Sequence, residues 1–299
     1  MSRPGRILIL GSTGQLGREL QRSFSGYGEV IARGRETVDF SGEDQLRSAV
    51  RTASPDVILN AAAYTAVDRA ESEPDLAMAV NGHAPGVLAE EANRLGALFV
   101  HYSTDYVFDG TKAGAWEETD APNPLNVYGA SKLAGERAVE QVGGKHLIFR
   151  TSWVYGPHGK NFLLTMLRLG KERDLLKVVD DQVGAPTTSI ALADATRSIV
   201  ASIFEGRSGS AESWAGVYHM TCGGSVSWRG FADAIFARAQ NLLGGRRPAT
   251  APIPTSEYPT PARRPQNSVL SNKQLNAAFG VQLPSWGDAL DRVFLEFNP

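Results

Sequence analysis

One cysteine, Cys222, stands in the 299 residues, so no disulfide can form within the chain. A reducing compartment, the cytoplasm, is the expected location. Long apolar runs are absent too. The N-terminus has a basic start, but only Ile7 to Leu10 follow as apolar residues before Gly11. That run is too short for the core of a signal peptide or for a membrane span. Charge of one sign is also lacking: 30 Lys and Arg face 32 Asp and Glu, a net charge of -2. The broad positive field that nucleic acid requires is therefore missing. The five histidines (83, 101, 146, 158 and 219) show no metal-ligand spacing, so no metal site is expected. No internal repeat is visible. What remains is ordinary globular material, 42% hydrophobic and 21% charged, enough for a large core.

The first half alternates short apolar runs with helical patterns. Strands are predicted at 7–10, 30–32, 56–60, 98–102 and 146–150, with a weak one at 38–40. Helices are predicted at 14–25, 74–95 and 127–142, and Ser41 is placed to cap another. This alternation predicts an α/β fold: a doubly wound, Rossmann-type parallel sheet covered on both faces. The second half changes character, with helices predicted at 161–173, 189–204, 227–243 and 286–297 and a short strand at 217–221. Between them lies a proline-rich stretch with Pro248, Pro252, Pro254, Pro259, Pro261 and Pro265. It cannot be helix or central strand, and reads either as a linker or as a loop packed over a cleft. The expected division is a dinucleotide-binding domain over 1–155 and a smaller substrate domain over 156–299, with segments such as 185–220 free to return to the first.

Three glycines, Gly11, Gly14 and Gly17, follow the first strand and open the first helix. In that context they allow a tight turn, a close backbone approach to a pyrophosphate, and close helix packing. The helix start offers free N–H groups to the anion. The end of the second strand carries Arg33, Gly34 and Arg35 rather than an acid. An acid there would bind the ribose of NAD. Arginines suit the 2′-phosphate of NADPH, with NADH the alternative.

Tyr128 and Lys132 lie four residues apart on a predicted helix and share a face. An ammonium beside a phenol is expected to lower its pKa toward working pH. Thr104 follows the strand that ends near Tyr102, where ligands collect at the carboxyl ends of a parallel sheet. A hydroxyl and a phenol there can both bond a carbonyl oxygen and stabilise an alkoxide.

These residues resemble the extended short-chain dehydrogenases/reductases. Longer strings at 60–68, 103–108, 124–129, 150–155, 181–187 and 258–261 are similar to the dTDP-4-dehydrorhamnose reductases, and the likeness spans nearly the whole chain. The resemblance implies NADPH-dependent reduction of the C4 ketone of a dTDP-linked deoxysugar, giving dTDP-L-rhamnose. It implies that Tyr128 donates the proton, Lys132 orients the ribose, and Thr104 polarises the carbonyl. Gly11, Thr13, Gly14, Gln15 and Leu16 would hold the cofactor, with Asp39, Phe40, Ala61, Ala62, Ala63, Tyr64, Thr65 and Tyr102 lining it. Asp105, Trp153 and Arg264 would meet the substrate. Some family members are dimers bridged by magnesium through glutamates. Glu19 matches one such position, but Ile190 stands at another and cannot ligate a hard cation, so Mg²⁺ is not expected here. Monomer and homodimer both remain open. Two rival readings carry over from the same scaffold. One is an epimerase or dehydratase that retains its cofactor; the other is a non-catalytic NADP-binding subunit of methionine adenosyltransferase.

Overall fold

The structure, a computed structural model, describes residues 3–297. Six parallel strands form the central sheet: β1 (Arg6–Leu10), β2 (Glu29–Arg33), β3 (Val57–Asn60), β4 (Leu98–Thr104), β5 (His146–Thr151) and β6 (Gly216–His219). Their spatial order is β6-β5-β4-β3-β1-β2. The chain leaves β1 toward β2 on one side and returns to β3 on the other, which places a crevice at the carboxyl ends of β1 and β3.

Both sheet faces are buried, as the continuous apolar runs require. Ile7, Ile9, Val57 and Leu59 point to one face. There they meet α1 (Gln15–Phe24) and a later helix, Ser189–Phe204. Leu8, Leu10, Ile58 and Phe99 point to the other. That side is covered by α2 (Glu43–Ala53), α3 (Ala84–Leu95) and α4 (Val127–Val142). A third apolar cluster lies in the second half, around Tyr155, Leu163, Phe231, Phe236 and Phe294.

Several sequence expectations need correction. Residues 38–40 are not a strand: Thr37 and Val38 donate back to the Gly34 carbonyl and the segment turns. Ser41 does not cap α2. The cap is Gly42, while Ser41 gives both its N–H and its hydroxyl to Asp39 Oδ1. The rod over 74–95 is helical throughout but is wound as a π turn at Ala79–His83. Pro85 follows at once and has no N–H to give, so a widened turn there costs little backbone bonding. The helix after Ser227 ends at Arg238, short of 243, although Ser227 caps it as expected by accepting from Gly230 N–H. The proline-rich stretch holds a strand, Ala249–Ile253, paired in parallel with Leu175–Val179. Pro252 is tolerated because this ribbon has only two strands and both are edges.

Candidate active site

The glycine turn sits at the crevice. Gly11 has φ +75°, and a Cβ on it would lie 2.6 Å from the Ala62 nitrogen. Only glycine lets the turn press against the 61–62 backbone. A Cβ on Gly17 would collide with the Gly11 carbonyl, so this glycine serves the turn itself rather than the strand. Gly14 caps α1 and no side chain satisfies that helix start. The N–H groups there suit the phosphates of a dinucleotide.

The other expected cofactor residues fall at different depths. Thr13 is exposed; Gln15 and Leu16 are half-buried, and Gln15 Oε1 accepts from Asn161 Nδ2 at 2.7 Å. Arg33 is half-buried with its guanidinium 3.1 Å from the Ala32 carbonyl, and Arg35 is exposed on the turn beyond it. Asp39 is exposed, whereas Phe40 is buried among Leu8, Leu10 and Leu46. Ala61, Ala62, Ala63 and Tyr64 line the exit from β3 half-buried, and Thr65 is exposed. Tyr102 points the other way: its hydroxyl meets Thr196 Oγ1 at 2.9 Å in the core, and only its carbonyl reaches the site.

Thr104 and Tyr128 converge. The Thr104 hydroxyl and the Tyr128 phenol face each other at the carboxyl end of β4, close enough for the hydroxyl to favour the phenolate. Asn126 fixes the start of α4 by accepting from Gly129 N–H at 2.8 Å, and its Nδ2 bonds the Arg263 carbonyl at 2.7 Å. The Tyr128 ring packs edge-on against Tyr106 at 5.6 Å. Lys132, one turn along, is fully buried; its Nζ donates to the Tyr102 carbonyl at 2.6 Å and lies 3.2 Å from His101 Nε2. Its ammonium is therefore held by β4 rather than by the phenol. Burial consequently pushes Tyr128 up to about 12, against the lowering expected from a neighbouring ammonium. Burial pushes Lys132 down to about 8.

The family described as RmlD substrate binding domain matches residues 5–298. The dTDP-4-dehydrorhamnose reductase of Burkholderia thailandensis is 53% identical over 284 residues, covering 94% of this chain and 95% of that protein. That of Salmonella typhimurium is 46% identical over 296 residues, covering 97% of each. The crystal structure of the Bacillus anthracis dTDP-4-dehydrorhamnose reductase in complex with NADP superposes with a TM-score of 0.90, at 36% identity, covering 99% of this chain and 100% of that one. The chain belongs to the dTDP-4-dehydrorhamnose reductase family.

For a dTDP-4-dehydrorhamnose reductase the remaining site residues are informative. Trp153 has φ +49°, a left-handed backbone that a bulky residue rarely adopts. Its indole stacks on Trp228 with centroids 3.4 Å apart, and Gly184 packs against the same ring. Arg264 donates to Asp68 Oδ2 at 2.9 Å and bonds Tyr106, so the proline-rich stretch packs directly beside the site. Glu19 is committed to Arg22 at 2.7 Å, and Ile190 lies in the apolar cluster with Tyr155 and Phe231. Among the described residues no group of three His, Cys, Asp or Glu side chains is placed to hold a metal ion.

Residues that the sequence reading passed over complete the frame. Asn81, in the π turn, exchanges hydrogen bonds with the Tyr64 backbone at 2.8 and 3.0 Å and reaches Ser131 Oγ at 3.1 Å. It thereby ties the β3 exit to α4. Asn126 had a visible signal, a cap-forming residue just before an apolar helical run. Asn81 and His101 had none, because their partners lie far away in the chain.

Asp105 is almost wholly buried, takes the Thr104 hydroxyl on Oδ1 at 3.1 Å, and leaves Oδ2 without a partner. Burial raises its pKa from 3.8 to about 6. A carboxyl raised in the folded state stabilises the fold fully below its ordinary pKa, and that stabilisation is lost as pH rises through 6. Roughly two units correspond to ~3 kcal/mol at most. Asp105→Asn is thus expected to raise unfolding free energy by ~1–3 kcal/mol at pH 8 while changing it little near pH 4. Urea denaturation at both pH values checks this; an equal change at both would show that the carboxylate is not held at a cost.

Proposed function

We propose that this chain reduces the C4 ketone of dTDP-4-dehydro-L-rhamnose at the expense of NADPH, with Tyr128 as proton donor. The observation that carries the reading is the meeting of the Thr104 hydroxyl and the Tyr128 phenol at the carboxyl end of β4, in the same parallel sheet whose first strand ends in the Gly11 turn. When bound, NADPH supplies a hydride to the ketone carbon. The protein residues act at the oxygen. Thr104, turning its hydroxyl from Asp105, and Tyr128 both donate to the carbonyl, which stabilises the developing alkoxide, and Tyr128 then passes its proton to it. A phenol held well above neutrality is protonated whenever the substrate arrives, and a secondary alkoxide is the stronger base, so the transfer runs toward the alcohol.

In this reading residues 1–155 hold the cofactor, with the Gly11–Leu16 turn on its phosphates, Arg33 and Arg35 near the 2′-phosphate, and Lys132 on the ribose. Residues 156–299 hold most of the nucleotide sugar, with β6 and Ser189–Phe204 returned to the first part. Asp105 and Trp153 border the sugar. Arg264 exchanges Asp68 for the substrate pyrophosphate. Among the described residues no helix is long and apolar enough to cross a membrane. We place the reaction in the cytoplasm, the reducing compartment that a chain with a single cysteine suits.

The test is spectroscopic. The purified protein is mixed with enzymatically made dTDP-4-dehydro-L-rhamnose and either NADPH or NADH, and loss of reduced nicotinamide is followed. One equivalent of NADPH consumed per substrate is expected, faster than NADH. Conversion of a nucleotide sugar with no net loss of NADPH would replace the reading with an epimerase or dehydratase. Cofactor binding without turnover, together with co-purification of an adenosyltransferase, would replace it with the regulatory subunit.

A further inference from the structure

The reaction as described uses Lys132 but gives no task to the fully buried histidine behind it. His101 lies on β4, on the sheet face that α4 covers, and has no exposure. Its Nε2 is 3.2 Å from Lys132 Nζ and its Nδ1 is 3.1 Å from Asn60 Nδ2. Asn60 ends β3, and its Oδ1 accepts the Ala62 N–H at 3.3 Å. That bond turns the amide nitrogen of Asn60, a donor only, toward the imidazole.

The polarity of the chain follows. Nδ1 must accept from Asn60, so a neutral imidazole carries its single proton on Nε2. That N–H faces Lys132. An ammonium offers only donors, and meets the N–H donor against donor. A neutral amine has a lone pair to receive it while still donating to the Tyr102 carbonyl. Burial keeps His101 neutral, its pKa well below the ordinary value.

We propose that Asn60 and His101 form a positioning arm for the reduction: Asn60 locks the imidazole so that its one N–H points at Lys132, which presses the lysine toward its neutral amine. This rests on the reductase reading given above, in which Lys132 serves the cofactor and the protonation of the site. The arm works against one neighbour. Glu136, a turn along the same helix, favours the ammonium, but its carboxylate is already paired with Arg150 from β5. The 105–107 turn brings Asp105, whose influence falls on Tyr128, and the π turn brings the neutral amide of Asn81. The arm also runs from the Ala62 backbone, which abuts Gly11, to Lys132. A shift of the β3 exit is therefore transmitted to the lysine through two side chains.

Two variants reverse the arm's polarity while keeping its size. Asn60→Asp has only acceptors, draws the imidazole proton to Nδ1, and leaves Nε2 free to accept from the ammonium. His101→Gln supplies a carbonyl oxygen that accepts from Asn60 and from Lys132 together. In the cofactor-free protein, nitrogen NMR of isotope-labelled histidine is expected to show the Nε2–H tautomer of His101 between about pH 6 and 9. Carbon NMR of labelled lysine is expected to show the Lys132 titration moved up by about one pH unit in each variant. The alkaline limb of kcat should move with it, by the same amount.

An Nδ1–H tautomer in the native protein overturns the proposal. So does a Lys132 titration that stays in place in a variant whose thermal unfolding matches the native protein; if one variant does not fold, the other decides. Should the tautomer and the lysine shift appear in a protein that never consumes NADPH with the nucleotide sugar, the arm stands as a structural device. The reductase reading then falls, and the arm's role in reduction falls with it.

Discussion

Replacing Tyr128 with phenylalanine is expected to lower kcat by a factor of ~10²–10⁴ while leaving NADPH binding within about threefold of native, as befits the loss of a general acid. The substitution removes one oxygen and nothing else that packs. The ring keeps its edge-on contact with Tyr106, and α4 keeps its Asn126 cap. Thr104 loses its phenol partner but retains Asp105. Because burial holds the phenol at about 12, the native protein has its proton ready across the neutral range. The same fact biases direction: alcohol oxidation needs the phenolate and is expected to be slow near pH 7. Single-turnover measurements with bound NADPH separate chemistry from binding. If the variant turned over as fast as the native protein, Tyr128 would leave the mechanism and Thr104 with Asp105 would be the place to look.

The parts of this molecule that could be read from sequence are those whose causes are local. Strand and helix alternation, the Gly11 turn and the Tyr128–Lys132 spacing each depend on neighbours within a few residues. The long strings shared with the reductase family carried the rest of that reading. What escaped depended on distant partners. The segment at 38–40 looked like a strand because Val38 and Phe40 alternate with polar residues, yet both are buried against Leu46 in a turn. The lowered tyrosine pKa was a reasonable expectation from spacing, and it failed because the Tyr102 carbonyl and His101 claim the lysine first. Proline density argued against a central strand. It could not reveal that Ala249–Ile253 pairs with Leu175–Val179, since an edge ribbon forgives Pro252. Arg264 was legible as a cation near the site, but its partner Asp68 lies almost two hundred residues earlier in the chain.

The second large effect concerns what holds the site still. Glu136 receives Arg150 in a bidentate pair, Nε to Oε1 at 2.9 Å and Nη2 to Oε2 at 2.6 Å, with side chains 1% and 5% exposed respectively. Ser103, next to Thr104, bonds the same carboxylate, and the Arg150 guanidinium lies over the Phe108 ring at 5.1 Å. One carboxylate thus joins α4, which carries Tyr128 and Lys132, to β4 and β5. Glu136→Gln leaves the guanidinium buried without its paired carboxylate, with Glu118 acting on it only from farther off, and is expected to cost ~3–5 kcal/mol of folding free energy, measurable by urea denaturation. Removing both charges at once is a different case, because the desolvation penalty disappears along with the attraction. Glu136→Leu combined with Arg150→Met is therefore expected to recover most of that loss. Its kcat should nonetheless stay below native, because Ser103 loses the acceptor that steadies the residue beside Thr104. A cost below about 1 kcal/mol for Glu136→Gln is the figure typical of an exposed pair. It would mean that solvent reaches the guanidinium, and that β4 and α4 are held in register by apolar packing alone.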